Sequence, residues 1–238
     1  MTSGAPDAPR EIKRQLADYW DRRASDFDLD PHHVWQSDEE RKAWEAILAR
    51  LTGPRRGRRV LDVGSGTGFL ALLVAEMGHD VTAIDMAPRM LAQAAQKASD
   101  AGLHIAFREA DAERTGFPDA SFDVVVSRHL IWNLPDPLGA VREWMRIARP
   151  GGRVGVINGV FSVNRQGWGE AYCPAFQRLP MLENVQAEQV AALLWEAGLQ
   201  RVWTDHLHEL VRIKRRSMPD YEGDRYLVAG TTLASPST

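Results

Sequence analysis

Short apolar runs alternate with longer amphipathic segments through the middle of the chain. The runs VLDV and VVV are nearly continuous in hydrophobicity, which is typical of strands covered on both faces. Strands that alternate with helices predict an α/β fold, with a mostly parallel open sheet and helices on both faces. The predicted strands are Val60–Val63, Val81–Ile84, Ile105–Arg108, Phe122–Ser127 and Arg153–Asn158, and the helices between them are Phe69–Met77, Pro88–Ala101 and Leu138–Ala148.

The flanking segments carry patterns of the same kinds. Before the first strand, helical spacing of apolar residues predicts a helix over 11–25. Ser37, with Glu40 three positions later, resembles a capping box and predicts a second helix that ends near Leu51. Towards the C-terminus the sequence predicts a helix Gln186–Ala197 closed by Gly198, then an antiparallel pair of strands, Arg201–Ile213 and Arg225–Gly230.

The composition is that of an ordinary globular domain. The chain has 238 residues, of which 44% are hydrophobic and 26% charged, and its net charge is −3. These values fit one compact domain, or one domain with a small cap, and give no reason to expect nucleic acid or an anionic membrane as a partner. No run of about 18 apolar residues occurs, and the first residues lack the apolar core of a secretory signal. With a single cysteine, Cys173, this predicts a cytoplasmic monomer or homodimer without an internal disulfide.

A glycine-rich turn, LDVGSGTGFL, joins the first predicted strand to the helix after it. Gly64, Gly66 and Gly68 allow a tight bend and a close approach of the backbone to a ligand. The following helix start offers unpaired N–H groups to an anionic group. Asp85 ends the second strand, where a carboxylate can accept hydrogen bonds from two ribose hydroxyls. Glycine turn and terminal aspartate together predict a nucleoside site, whereas the glycines alone predict only a tight turn.

The spacing of the glycines indicates which nucleoside. A dinucleotide fingerprint has a glycine three positions after its second one, and here that position is Phe69. Asp62 precedes the loop, and its carboxylate repels a pyrophosphate but suits the ammonium group of an amino acid. The sequence therefore favours S-adenosylmethionine as cofactor over NAD.

Three stretches together resemble a known family. They are VLDVGSGTGFLALLVAEMGHDVTAIDMAPRML, READAERTGFPDASFDVVVSRHLIWNLPDP and REWMRIARPGGRV. They are similar to class I S-adenosylmethionine-dependent methyltransferases of the small-molecule type, such as the ubiquinone-biosynthesis group. The resemblance implies a Rossmann-like sheet of seven strands whose last strand is antiparallel. It also implies an N-terminal helical lid over 1–55, a methyltransferase domain over 56–238, and a substrate-specific insertion at about 159–184.

The same resemblance implies roles for individual residues. Asp62 lies near the cofactor's amino group, Asp85 binds the ribose hydroxyls, and Arg23 is a candidate for the methionine carboxylate. Met86 packs on the adenine, Asp111 takes the adenine amino group, and the Ala112 backbone lies beside the ring. The full set of expected cofactor residues is Tyr19, Arg23, Asp62, Gly64, Ser65, Gly66, Asp85, Met86, Asp111, Ala112 and Arg128.

The turn SRHLIWNLPDP after the fourth strand carries the candidate catalytic residues, His129 and Arg128. The histidine can remove a proton from an acceptor or orient it, and the arginine can hold a carboxylate or enolate. Alternatively, His129 only begins a helix and bonds a backbone carbonyl, while Arg128 pairs with an acid such as Asp111 or Glu113. The expected acceptor pocket contains Trp35, His129, Trp132, Trp168 and Tyr172.

The expected activity is transfer of a methyl group to a small-molecule acceptor, at an oxygen, nitrogen, sulfur or carbon atom left undecided. The alternatives are an NAD-type oxidoreductase on a related fold and a non-catalytic S-adenosylmethionine-binding protein. No metal is expected, because His206 and His208, predicted on one strand face, and the adjacent pair His32 and His33 do not reach three spaced ligands.

Overall fold

A computed structural model describes residues 8–160, 174–181, 184–221 and 223–234 of the chain. Its α-helices are α1 (Ala8–Arg23), α2 (Asp38–Thr52), α3 (Phe69–Glu76), α4 (Pro88–Asp100), α5 (Pro137–Ile147), α6 (Ala187–Ala197) and α7 (His208–Ser217). Its strands are β1 (Arg59–Val63), β2 (Asp80–Asp85), β3 (Ile105–Glu109), β4 (Phe122–Arg128), β5 (Ala148–Val160), β6 (Gln200–Asp205) and β7 (Asp224–Thr231). Short 3-10 helices cover Phe27–Leu29, Ile131–Asn133 and Pro174–Arg178.

The strands form one seven-stranded sheet in the order β3-β2-β1-β4-β5-β7-β6. Strands β1 to β5 pair in parallel, and β7 is antiparallel to both of its neighbours. The predicted Rossmann-like sheet is therefore confirmed, including its antiparallel last strand. Because β1 lies between β2 and β4, the strand order reverses there, and ligands in open α/β sheets bind at such a reversal.

Helices cover both faces of this sheet, as the apolar runs predicted. Consecutive residues of β4 point to opposite faces. Val125 packs in a cluster with Trp144 of α5, whereas Val124 and Val126 pack in a second cluster with Trp44 of α2. The strands are thus buried on both sides, and only their ends are open to a ligand.

The N-terminal segment divides into two parts that differ in what they contact. In α2, Trp44 and Leu51 are buried in the core beneath the sheet, so this helix is a layer of the fold rather than a cover. In α1, Leu16 packs on Phe176 of the 3-10 helix Pro174–Arg178. Helix α1 thus packs in a cluster separate from the core cluster that α2 joins.

The prediction of one long strand over Arg201–Ile213 is wrong. Strand β6 ends at Asp205, and α7 begins at His208, so His206 and His208 do not share a strand face. The helix forms because Leu210, Val211 and Lys214, spaced one and three positions apart, bury a single face. The antiparallel pairing with β7 is confirmed for β6 alone.

The predicted insertion at 159–184 lies mostly outside the described residues. Its described part includes the last two residues of β5 and the 3-10 helix Pro174–Arg178, in which Phe176 is buried. Trp168 and Tyr172, both expected in the acceptor pocket, are outside the described residues.

Candidate functional site

The carboxyl ends of β1, β2 and β4 open into a cavity of about 650 Å³. This volume is within the range of cavities that bind small organic ligands. The cavity is lined by the glycine turn, the end of β2 and the turn after β4. Its walls are completed by helix α1 and by Asp30, His32, His33, Asp220, Tyr221, Gly223 and Arg225. It lies where the strand order reverses.

The glycine turn owes its shape to left-handed backbone angles and to one aspartate. Gly64 and Gly66 have φ of +66° and +52°, which residues with a side chain rarely adopt. Asp85 on the neighbouring strand accepts the Gly66 N–H through Oδ2 and the Ala87 N–H through Oδ1, both at 2.9 Å. Burial raises the pKa of Asp85 above its usual value. The Asp85 carboxylate thus fixes the backbone of the glycine turn. It lines the cavity and is poorly solvated there.

Asp62 lies within β1 and is only 2% exposed. Its carboxylate accepts the N–H of Ala71 in the first turn of α3, at 3.0 Å. Burial raises the pKa of Asp62 to about 7, because the charged form is poorly solvated. A cationic group in the cavity would stabilise the ionised carboxylate, which is the requirement for holding an ammonium group.

Helix α1 is tethered over the cavity by ion pairs. Lys13 contacts Asp111 at 2.7 Å and also pairs with Glu113, and its side chain is only 14% exposed. Asp111 is therefore bonded to the lid in this structure. Arg128 pairs with neither acid, so the alternative that assigned it to Asp111 or Glu113 is wrong for these described residues.

Two aspartates of the N-terminal segment form hydrogen bonds with the glycine turn and with α4. Asp28 accepts the Thr67 hydroxyl at 2.6 Å and the Lys97 ammonium at 2.7 Å. Asp21 accepts the Arg89 N–H at 2.7 Å and so caps α4, whose own N-cap residue has no capping side chain. The N-terminal segment is thus fixed both to the glycine turn and to α4.

His129 has both ring nitrogens engaged. Its backbone has a φ of +55°, and its N–H donates to the Ile157 carbonyl at 2.9 Å. Arg225 Nη1 donates to Nε2 at 2.5 Å, so the proton of the neutral ring is on Nδ1 and is donated to Asn158 Oδ1 at 3.2 Å. The Asn158 amide in turn donates to Tyr226 Oη at 3.2 Å. Burial and the Arg225 charge lower the pKa of His129 well below its usual value.

Arg128 projects between aromatic rings. Its guanidinium carbon lies 3.8 Å from the centre of the Phe69 ring, and Nη2 donates to the His32 carbonyl at 3.2 Å. Among the described residues, its Nε has no hydrogen-bond partner. Burial and the neighbouring Arg225 cation lower the pKa of Arg128 to about 9. Phe69, the residue in place of a third dinucleotide glycine, thus serves as a platform for this arginine.

Most of the predicted site residues meet in this one cavity. Trp35 does not line it and instead packs edge-to-face on Phe69, with ring centres 5.3 Å apart. The predicted residues that do line the cavity are Tyr19, Arg23, Asp62, Gly64, Ser65, Gly66, Asp85, Met86, Asp111, Ala112, Arg128, His129 and Trp132.

The structure adds lining residues that the sequence did not indicate. They are Lys13 on α1, His32 and His33 before α2, and Tyr221 and Arg225 near the start of β7. Only Arg225 carried a local signal, because a charged residue opens an otherwise apolar run. The others come from segments without a motif and reach the site only through the tertiary fold.

The described residues contain neither a metal cluster nor a membrane-spanning helix. No group of three or more histidine, cysteine, aspartate or glutamate side chains is placed to hold a metal ion. No helix in the described part of the chain has the length and apolarity needed to cross a membrane.

The amino-acid sequence is similar to those of known methyltransferases. Residues 61–156 match the family described as "Methyltransferase domain". A ubiquinone/menaquinone biosynthesis C-methyltransferase of Bdellovibrio bacteriovorus is 33% identical over 154 residues, 64% of this chain and 62% of the relative. A demethylmenaquinone methyltransferase of Thermus thermophilus is 39% identical over 143 residues, 58% of this chain and 64% of the relative. The matched stretches thus cover less than two thirds of these relatives.

A solved structure supports the same assignment of fold. The crystal structure of the [4+2]-cyclase SpnF superposes with a TM-score of 0.71 and 23% identity, over 94% of this chain and 97% of that one. Solved structures of methyltransferases share this Rossmann-like fold with TM-scores of 0.70 and 0.65. Residues 61–156 of this chain are therefore similar to methyltransferase domains.

Proposed function

We propose that this protein transfers a methyl group from S-adenosylmethionine to a small-molecule acceptor. The observation that carries the proposal is a single cavity that contains two different chemistries. Asp85, Asp62 and the glycine turn suit a nucleoside joined to an amino acid. Arg128, His129 and the aromatic side chains line the same cavity and offer groups that a nucleoside does not need. A protein that only bound the cofactor would not require these additional groups.

The cavity fits the proposed cofactor at several atoms. Asp85 would accept hydrogen bonds from the ribose hydroxyls, and Asp62 would pair with the ammonium group. Ser65 Oγ and Trp20 Nε1 are buried at the cavity wall without a hydrogen-bond partner among the described residues, so they are available to a ligand. Met86 and Ala112 would flank the adenine, and Arg23 would face the methionine carboxylate.

The cofactor, when bound, supplies a methyl group made electrophilic by the sulfonium charge. The protein must hold an acceptor in line with that methyl and exclude water from it. Of the two roles expected for His129, orientation fits its bonding better than proton removal, because Nε2 already accepts a hydrogen bond from Arg225. We therefore infer that catalysis depends mainly on positioning, with Arg128 and His129 shaping the acceptor part of the cavity.

Fold likeness alone does not carry this proposal, since SpnF is described as a cyclase. An NAD-type oxidoreductase is disfavoured by Asp62, whose carboxylate would face a pyrophosphate, and by the side chain of Phe69 at the third glycine position. The further parts of the proposal are a cytoplasmic monomer or homodimer without nucleic-acid or membrane partners. They are supported by the single cysteine and the net charge of −3.

Calorimetric titration tests the proposal directly. S-adenosylmethionine and S-adenosylhomocysteine are expected to bind and NAD is not. Asp85→Ala should lower both affinities by about one to two orders of magnitude, through about 1.5–3 kcal/mol of lost hydrogen bonding. Asp80→Ala, exposed at the other end of the same strand, serves as the control. A preference for NAD would overturn the proposal, and bound cofactor without radiolabelled methyl transfer to extracted metabolites would favour a non-catalytic binder.

A further inference from the structure

We propose that the acceptor is an aromatic or similarly flat molecule with an anionic oxygen group, most simply a carboxylate, which Arg128 and Arg225 bind. This inference rests on the proposed function and gives its acceptor a chemical class. It follows from the position of the two guanidinium groups, from the partners of Arg128 and from the walls around them.

Both arginines line the same cavity from different elements. Arg128 ends β4, and Arg225 lies in β7, where it faces Gly159 of β5 in the strand register. Arg225 is only 2% exposed, and its Nε donates to Tyr221 Oη at 2.6 Å while Nη1 donates to His129. These bonds hold the planar fork in one orientation. A fixed fork suits two-point recognition of a carboxylate.

Arg128 is a cation in a poorly solvated place. Among the described residues, its contacts are the Phe69 and Trp44 rings and the His32 carbonyl, and none is a carboxylate within ion-pair distance. Its lowered pKa has the same origin, because burial and Arg225 both disfavour the charged form. An anionic group between the two arginines would offset that repulsion.

The nearby carboxylates already have other partners. Asp62 and Glu40 are the acids whose charges act on Arg128. Asp62 caps α3 through the Ala71 N–H, and Glu40 forms a buried ion pair with Lys214 at 2.6 Å. The ammonium group of Lys214 is therefore neutralised by Glu40. The guanidinium group of Arg128 has no such partner among the described residues, and it lines the cavity. A protonated amine is disfavoured there by like-charge repulsion.

The adjoining walls are aromatic. Trp20 packs edge-to-face on Trp132 at 6.1 Å and on Phe27 at 6.1 Å, and all three line the cavity. Flat apolar walls beside a pair of guanidinium groups favour a flat body with one charged end. The chemistry that follows is recognition of an aromatic carboxylate rather than of an amine or a neutral lipid.

The test uses three benzene derivatives of similar size, titrated calorimetrically into protein saturated with S-adenosylhomocysteine. Benzoate is expected to bind about tenfold or more tightly than neutral benzamide, and benzylammonium to bind more weakly than either. In protein kept saturated with S-adenosylhomocysteine, Arg128→Met should lower benzoate affinity about tenfold. Arg108→Met is the matched control, since Arg108 also stacks on an aromatic ring, Phe117 at 4.8 Å, but does not line the cavity.

A second variant, Arg225→Lys, retains the charge but not the fork, and should weaken benzoate binding if the protein folds. Equal affinity for benzoate and benzamide, tighter binding of benzylammonium, or an Arg128→Met protein that binds benzoate as well as the wild type would overturn the inference. So would no benzoate binding up to about 10 mM, well above a millimolar dissociation constant. If S-adenosylhomocysteine itself does not bind, the proposed function fails, and the benzoate series on the ligand-free protein still decides this inference.

Discussion

Arg225 Nη1 donates a hydrogen bond to His129 Nε2 across 2.5 Å, and this bond determines which nitrogen of the histidine carries the proton. An arginine is always a donor, so Nε2 must be the unprotonated nitrogen. The Nδ1 proton then goes to Asn158, whose amide is oriented by Tyr226. Three side chains from β5 and β7 therefore fix the ring, which lies just after the end of β4.

This relationship predicts a neutral histidine across the physiological range. Because burial and Arg225 lower its pKa well below the usual value, the ring should show the Nδ1–H tautomer without titration between about pH 6 and 8. Long-range ¹H–¹⁵N NMR of the imidazole measures the tautomer, and His129→Asn assigns the signal. A transition near pH 6.5 would show that the ring is free to act as a base.

Asp62 should make cofactor binding depend on pH. In the ligand-free folded protein its pKa is raised to about 7, so its contribution to the free energy of unfolding is greatest below about pH 4 and is lost as the pH rises to about 7. An ammonium group beside the carboxylate favours its ionised form and expels the proton. Affinity for S-adenosylhomocysteine should therefore rise from pH 5 to 7 and level off above it.

Calorimetry in two buffers of different ionisation enthalpy counts the released protons. At about pH 6, binding should release up to about one proton in the wild type and fewer in Asp62→Asn, which retains an oxygen for the Ala71 N–H. Equal proton release by the two proteins would assign the effect to another group.

Gly64 and Gly66 should respond differently to the same substitution. Both have positive φ, so alanine costs about 1–2 kcal/mol of backbone strain at either position. At Gly64 a Cβ would also lie 2.8 Å from Leu130 Cδ1, whereas at Gly66 it would meet nothing within 4 Å. Gly64→Ala should have the lower melting temperature, and Gly66→Ala the greater loss of cofactor affinity, since its methyl group enters space that the cofactor needs. Equal melting temperatures would contradict the Leu130 contact.

Removing one partner of the buried ion pair between Lys214 and Glu40 should strongly lower the free energy of unfolding. The two side chains are 1% and 0% exposed, so Lys214→Met leaves an uncompensated carboxylate and should destabilise the protein by about 3–5 kcal/mol. The double variant Lys214→Met/Glu40→Gln should recover most of this loss, because the amide still accepts the Gln36 N–H. Chemical denaturation of the four proteins measures the coupling, and additive effects would mean that the pair is not coupled.

The sequence predicted the site best at the ends of the first two strands. The glycine turn and Asp85 depend on local backbone geometry and on a strand end, both of which leave a pattern in the sequence. The partners of His129 leave none, because Arg225 is 96 residues away and the two meet only where β5 pairs with both β4 and β7. Trp35 was assigned to the pocket from its residue type alone, and its packing on Phe69 could not be deduced that way.

The error at the C-terminal strands has a similar cause. The segment Arg201–Ile213 alternates apolar and polar residues well enough to resemble one strand. Its second half becomes helical because Leu207 and Leu210 are buried in the core cluster beneath the sheet. Tertiary burial thus overrides a weak local preference, and the boundary falls at Leu207, which the pattern does not mark.

The ion pair between Lys13 and Asp111 can form only long after Lys13 has been synthesised. The two residues are 98 positions apart, and α1 also packs on Phe176. A chain synthesised from its N-terminus exposes the apolar side of α1 long before either partner has left the ribosome. Every strand that borders the glycine turn is made before Phe176. Helix α1 therefore reaches its packing partner Phe176 only after the strands at the glycine turn have been made.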